Sequence, residues 1–462
     1  MQAHFFRFTT IAICLVGSAA MTLADPGASE SSSERYLDMR YEPGTGNLAG
    51  GSAALNGGPL DDYKNVQLDD DWTMSLGGEI RYRLESETNK DFGAGPGPTQ
   101  DAFHLFRYLI NADFKYQDSF RIYVELIGAF DEDRDLGLRG TDENRWDLEQ
   151  LYIETDMDLF ERSWNVRAGR QFLSYGSGRM VSPGEWDNVR QRFDGVRMAT
   201  SDDTWDFDMW WVRPVVAQRK GSDRLNEDIE FWGAYATYKG IDNHGLDLYF
   251  FALLDDGASF NPNGSLGSGG DRNIYTVGTR YWGTNGDWDY ETELAGQWGH
   301  WSGDTVQAWS WAADAGYTMA DVECVPRLGL GFDMATGDRS ATDSSVQTFT
   351  EMFPDSHRYF GYLDLIGRSN ITSANVNVSA WAVKDKSRAT LALHSFWLTR
   401  DAGGVGDHEI GYELDATLTW KIDDTSDMLF GWSHLWDGDF IQSAFPPGEN
   451  ADLLYMQYVY RF

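Results

Sequence analysis

Cysteine is almost missing from this sequence: Cys14 and Cys324 are the only two in 462 residues. Cys14 falls in an apolar leader, so the mature chain keeps Cys324 alone, which excludes an intrachain disulfide framework. Cys14 also lacks the small residue expected just before a lipidated cysteine, so it gives no lipoprotein signal. Basic charge is scarce as well. The 37 Lys and Arg face 73 Asp and Glu, for a net charge of −36, which argues against nucleic acid as a partner. Long hydrophobic runs are absent. Past the leader the longest is LYFFALL, Leu248–Leu254, well short of the ~20 apolar residues that a membrane helix needs. A spanning helix is thereby excluded, but a membrane barrel is not. Barrel strands need only ~10 residues each and expose apolar side chains on one face. No helical period is sustained after the leader.

What the sequence does have is aromatic residues, at 15% of the chain, with 19 Trp and 22 Tyr. Transmembrane barrels use such residues in two interfacial girdles. The chain begins MQAHFFRFTTIAICLVGSAAMTLADPGASE. Arg7 is a positive n-region, Phe8 to Val16 is largely apolar, and small residues follow, as in a secretory signal peptide over residues 1–24. Cleavage is expected after Ala24, with Ala20 as the alternative. Residues 25–70, with GTGNLAGGSAALNGGPL among them, hold no period and read as a flexible periplasmic segment.

From residue 71 to 462 the texture is uniform. Alternating segments predict strands at 71–87, 101–117, 119–131, 145–157, 163–174, 193–200, 204–216, 227–239 and 244–255. Nine more follow at 271–284, 288–300, 305–319, 325–336, 370–383, 388–400, 408–421, 426–438 and 451–462. That is about 18 strands. The connectors alternate. Tight ones such as GIDN (Gly240–Asn243), NGD (Asn285–Asp287) and DDT (Asp423–Thr425) interleave with mostly long ones, as at 132–144, 175–192 and 337–369. Short periplasmic turns and long outer loops in alternation mark an outer-membrane barrel, and an even strand number puts both termini in the periplasm. The closing stretch, YMQYVYRF, fits. Tyr458, Tyr460 and Phe462 share one face, as they would against lipid, although a strand of a soluble sandwich can show the same alternation. The expected fold is therefore all-β, a transmembrane antiparallel barrel.

Period two also sorts the charges. Glu79, Arg81, Arg83 and Glu85 share a face opposite Ile80, Tyr82 and Leu84. The same reasoning turns Arg107, Lys115, Arg121, Arg167, Arg280 and Arg327 inward. Each is either pore-lining or part of a lumenal salt bridge, with Glu79, Glu85, Asp113, Glu125, Glu291 and Glu293 available as partners. The acidic balance leaves two readings: most of the negative charge sits in loops and turns, or the lumen is mixed and the substrate is not a polyanion. DEDRD, Asp131–Asp135, reads as a solvated loop, with calcium binding as its alternative. The histidines lack metal or catalytic spacing. His394 and Ser395 are adjacent, hence on opposite strand faces, and no enzyme, metal or cofactor is expected.

RAGRQFLSYGSGRMVSPGEWDNVRQRFDGVR, Arg167–Arg197, resembles the bacterial alginate export family of outer-membrane proteins, in which a GRQ…YG.GR…NVR..FDGVR pattern recurs. FPDSHRYFGYLDLIGRSNI (Phe353–Ile371) and HEIGYELDATLTW (His408–Trp420) resemble later segments of that family. The resemblance implies an 18-stranded barrel in the Gram-negative outer membrane that exports an anionic, alginate-like polysaccharide through an Arg/Lys-lined lumen narrowed by inward-folded loops. It adds Arg170, Arg179, Arg190, Arg197 and Arg368 to the candidate pore-lining residues. Expected partners are outer-membrane lipid, the anionic polysaccharide and periplasmic export components. The competing expectation is a general or substrate-specific diffusion porin for small solutes. In either case residues 337–369 could fold inward as a constriction.

Overall fold

The computed structural model of the chain describes residues 60–257 and 270–462, apart from 96, 118, 341, 402 and 403. The 1–24 leader and residues 25–59 of the segment expected to be flexible lie outside the described residues. Eighteen long strands form the wall. They are β1 (Trp72–Thr88), β2 (Gln100–Tyr116), β3 (Phe120–Glu132), β4 (Asn144–Leu159), β5 (Arg162–Gln171), β6 (Phe193–Ser201), β7 (Trp205–Val216), β8 (Ile229–Ile241) and β9 (His244–Asp255). The second half comprises β10 (Arg272–Asn285), β11 (Trp288–Trp301), β12 (Asp304–Thr318), β13 (Arg327–Ala335), β14 (Ile371–Val383), β15 (Ser387–Leu398), β16 (Glu409–Lys421), β17 (Ser426–Asp437) and β18 (Ala451–Arg461). These bounds lie within three residues of the expected ones.

Consecutive strands pair antiparallel, and β1 pairs with β18 from Glu79↔Arg461 to Thr88↔Asp452, which closes the barrel. The terminal residue completes the seam. Phe462 N–H donates to the Gly78 carbonyl (3.1 Å), and Gly78 N–H donates to the Phe462 carbonyl (2.9 Å). Closure is what lipid demands, since an open edge would leave backbone groups without partners.

The alternation reads directly as inside and outside. Ile110, Leu126, Leu151, Val277, Leu294 and Leu330 form part of an exposed apolar belt, while their neighbours in sequence point inward. Aromatic rings gather at both ends of the wall. Trp72 packs on Tyr116 and Phe120 near the short turns, and Tyr108, Phe130 and Trp146 pack together toward the long loops. These are the two girdles that the Trp and Tyr content foretold. One position departs from the simple alternation. Ile410 shares period-two parity with Tyr412 and Trp420, which are exposed, yet it is buried. A register shift between β15 and β16, where Gly411 takes φ +146°, moves Ile410 to the other side.

Turn parity holds with two departures. Residues 302–303 make a tight turn on the long-loop end, and residues 319–326 make a longer connection on the short-turn end. The longest connections, 172–192 and 336–370, fold back into the barrel.

Candidate functional site

The two inward loops fold that way because they carry large apolar side chains that neither water nor lipid takes up. Leu173, Tyr175, Met180 and Val181 from the first loop join Phe349, Tyr359, Phe360 and Leu363 from the second. Together they bury against Phe193, Trp210, Phe231 and Phe251 of the wall in one cluster. The loops also bond to each other. Ser182 N–H donates to the Phe353 carbonyl at 2.7 Å, Phe353 N–H to the Met180 carbonyl at 3.1 Å, and Asp355 N–H to the Gly178 carbonyl at 3.0 Å. The Tyr359 hydroxyl donates to the Ser177 carbonyl, and the Trp186 and His357 rings stack with centroids 3.9 Å apart. The result is a two-piece plug. The expectation that residues 337–369 could turn inward is met.

The candidate arginines divide into three groups around this plug. The first is on β1 and β2, where Arg81 lies directly across from Arg107. Arg81 donates to the carbonyls of Glu185 (2.8 Å) and Asp187 (2.7 Å) and to Asn188 Oδ1 (3.2 Å). Arg83 donates to the Trp186 carbonyl at 2.6 Å and covers the Trp186 ring at 3.7 Å. Arg107 binds Glu79 at 2.7 Å, the Asp187 carbonyl at 3.2 Å and Oε1 of Glu185. Arg190, from the loop itself, holds Oε2 of Glu185 at 3.1 Å as well as Glu125 (3.1 Å) and Glu149 (2.8 Å). Burial pushes the Glu185 carboxyl up, but Arg107 and Arg190 outweigh it and hold the group below the ordinary range.

The second group lies across the lumen. Arg179 reaches from the loop to Glu291 of β11 and Asp314 of β12 and covers the Tyr359 ring at 4.2 Å. Arg280 of β10 binds Glu291 at 2.6 Å and Asp247 at 2.9 Å. Arg368, from the second loop, binds Asp333 of β13 at 2.5 Å. The third group stays within the wall. Arg121 holds Asp113 in a bidentate pair (2.6 and 2.9 Å), Arg167 holds Glu154 (2.7 Å), and Arg197 holds Asp208 (2.8 Å). These three are the lumenal salt bridges that the sequence offered as the alternative to pore lining. Lys115 and Arg327 likewise meet Asp113 (3.8 Å) and Asp289 (2.6 Å).

Arg170 is a correction. The register sets it opposite Leu151 on one side and Asp194 on the other, the face that carries Leu151, Val196 and Trp211. It therefore lies outside the lumen, where it forms a bidentate pair with Asp194 at 2.8 and 3.1 Å. The physical reason is visible in the sequence: Arg167 and Arg170 are an odd number of residues apart, so one strand cannot turn both inward.

Two contributors were missed. Arg192, present in the motif but left out of the candidates, is buried against Glu149 (3.1 Å) and Asp223 (2.9 Å). Glu185 gave no signal of its own, because its role depends on arginines from two distant strands. Of the two readings of the acidic balance, the mixed lumen is the one observed. Glu79, Glu125, Asp247, Glu291, Asp333 and Glu413 all point inward and are buried or nearly so. The acidic run at 131–135 is engaged by ordinary contacts: the Asp135 and Leu136 amides donate to Asp101, and Arg134 pairs with Glu87. Among the described residues no group of three or more side chains could hold a metal ion.

A closed 18-strand antiparallel barrel with a lipid-facing belt, two aromatic girdles and a lumenal plug defines a transport barrel of the Gram-negative outer membrane. Residues 72–451 match the alginate export family, and the chain belongs to it. No curated protein matches the chain. Among solved structures it is similar to OpdO of Pseudomonas aeruginosa, with TM-score 0.60, 10% identity, and 84% of this chain and 97% of that one covered. OpdQ of the same organism gives 0.58, 13%, 84% and 97%. OpdK, solved with vanillate, gives 0.57, 11%, 84% and 98%. At these identities the likeness is one of fold.

Proposed function

We propose that the barrel exports an anionic saccharide polymer, a polyuronate, past the arginines that now hold the plug. The observation that carries this is the set Arg81, Arg83 and Arg107, whose donors meet plug carbonyls and the Glu185 carboxylate rather than being wholly consumed by wall carboxylates. A uronate chain presents the same acceptors, a carboxylate and several oxygens per sugar, and guanidinium groups bind carboxylates in a bidentate fork. Membership of the alginate export family supports the same direction and substrate class. Weak, repeated contacts suit a polymer that must leave as readily as it enters.

A second reading, a substrate-specific diffusion channel for small solutes, has its own support. Most lumenal arginines are matched by inward carboxylates, and two interlocked loops fold into the lumen, which suits a small solute better than a thick polymer. Planar-bilayer recording separates the two. The export reading expects anion preference in a salt gradient and transient current block by a soluble oligouronate, with a neutral oligosaccharide of equal length inert. Cation preference together with indifference to the oligouronate would sink it and leave the diffusion channel in its place.

A further inference from the structure

The Glu185–Trp186–Asp187 stretch occupies its site in an unusual way. Its three carbonyls and one carboxylate are taken up by Arg81, Arg83, Arg107 and Arg190. Both oxygens of Glu185 are held, Oε1 by Arg107 and Oε2 by Arg190. Arg81 is only 2% exposed. Yet among the described residues no carboxylate lies within 4.0 Å of it, and its Nε has no acceptor. A buried guanidinium matched only by carbonyls and an amide oxygen is short of charge compensation, since buried charges are ordinarily paired with opposite charge. It lies across from Arg107 in the same register pair, so the vacancy in charge and the Glu185 clamp form one site.

We infer that Arg81, Arg107 and Arg190 form a carboxylate-binding site for the saccharide, and that Glu185 is its built-in competitor. In the resting state the plug's own carboxylate fills the clamp. A uronate carboxylate replaces it, gains the uncompensated Arg81 as well, and frees the 184–187 stretch to leave the wall. Gly184, at φ +69°, gives that stretch a pivot in a conformation that other residues rarely adopt. Trp186 must then slide from beneath Arg83 and from its stack on His357, so release of one carboxylate also uncouples the two halves of the plug.

The inference rests on the polyuronate reading, and the test keeps the two apart. Wild-type, Glu185→Gln and Glu185→Asp barrels, each showing heat-modifiable gel mobility, are recorded in planar bilayers with tri-galacturonate, and with maltotriose as the neutral control. Loss of the competing charge-assisted contacts should let Glu185→Gln be blocked at about tenfold lower tri-galacturonate, with Glu185→Asp close to wild type. Equal block of wild type and Glu185→Gln would overturn the competitor role and leave the polyuronate reading standing. No block of any of the three would remove both. A second measurement on the wild type does not depend on the variant folding. Tri-galacturonate, but not maltotriose, should expose the chain to a Glu-specific protease after Glu185, read by mass spectrometry. An unchanged cleavage map would count against displacement.

Discussion

The two halves of the plug are anchored by different physics. The 172–192 loop adds charge to the burial of Leu173, Tyr175, Met180 and Val181: Arg179 on one wall, Glu185 on the opposite one, and Arg190 and Arg192 on Glu149. The 336–370 loop is held mainly by apolar burial, with Phe349, Phe360 and Leu363 fully or almost fully out of water, and by a buried ion pair at Arg368. Apolar burial is non-directional and, unlike an ion pair, is not screened by salt. Ion pairs are directional and can be exchanged for others of the same chemistry. The second loop is thus suited to stay and the first to be displaced by a charged solute.

The strongest way to break this contrast is to remove the apolar half. Replacing residues 345–366 by a short Gly-Ser linker should raise single-channel conductance by about threefold or more, because a constriction is lost outright. Unchanged conductance would show that the first loop alone closes the path. A finer cut compares single anchors. Arg179→Ala takes the paired cation from Asp314 and leaves Glu291 with Arg280 alone, and losing one partner of a buried pair costs about 3–5 kcal/mol. Hydrogen exchange should then rise across 172–192 while 345–366 stays protected. Phe349→Ala costs a similar ~3–5 kcal/mol by the cavity it leaves but should loosen 336–370 first. If either variant loosened both loops equally, the plug would be one cooperative unit and the contrast would fail.

Acidity sharpens the comparison at the join between the loops. Asp187 of the first loop is pushed up to about 6 by burial and by Asp364 of the second, against Arg139 and Arg83. The docked state therefore binds the proton more tightly than a loosened, hydrated one, whose carboxyl titrates near ~3.9. Docking gains as pH falls through about 6 toward ~4 and weakens as pH rises through the same window. Conductance should fall by up to about twofold between pH 7 and pH 5, and Asp187→Asn should flatten that dependence. The smallest effect is expected at Arg170. Because it faces outward, Arg170→Glu should leave ion selectivity unchanged, and a shift toward cations would return it to the lumen.

Much of the wall was legible in the sequence. Period two and turn parity depend on local geometry, so all 18 strands and the inward column Glu79, Arg81, Arg83, Glu85 could be read from neighbours alone. The inward fold of 336–370 was suggested by aromatic residues with no lipid face to join. The pairing of charges was not legible. That Arg107 meets Glu185 as well as Glu79, and that Arg179 meets Glu291, depends on how the 172–192 loop crosses the lumen, and no local pattern encodes that. Arg170 shows the opposite failure. Its spacing from Arg167 speaks against a lumenal position, while its place in the motif speaks for one, and parity prevails.

The loop from residue 172 to 192 spans the barrel, with Glu185 fastened to the side of β1 and β2 and Arg179 to the side of β11 and β12. In mechanical terms it is a cross-tie. A strut joining opposite sides of a closed wall resists its flattening. A solute that drew the tie aside would also remove this brace between the two sides of the wall.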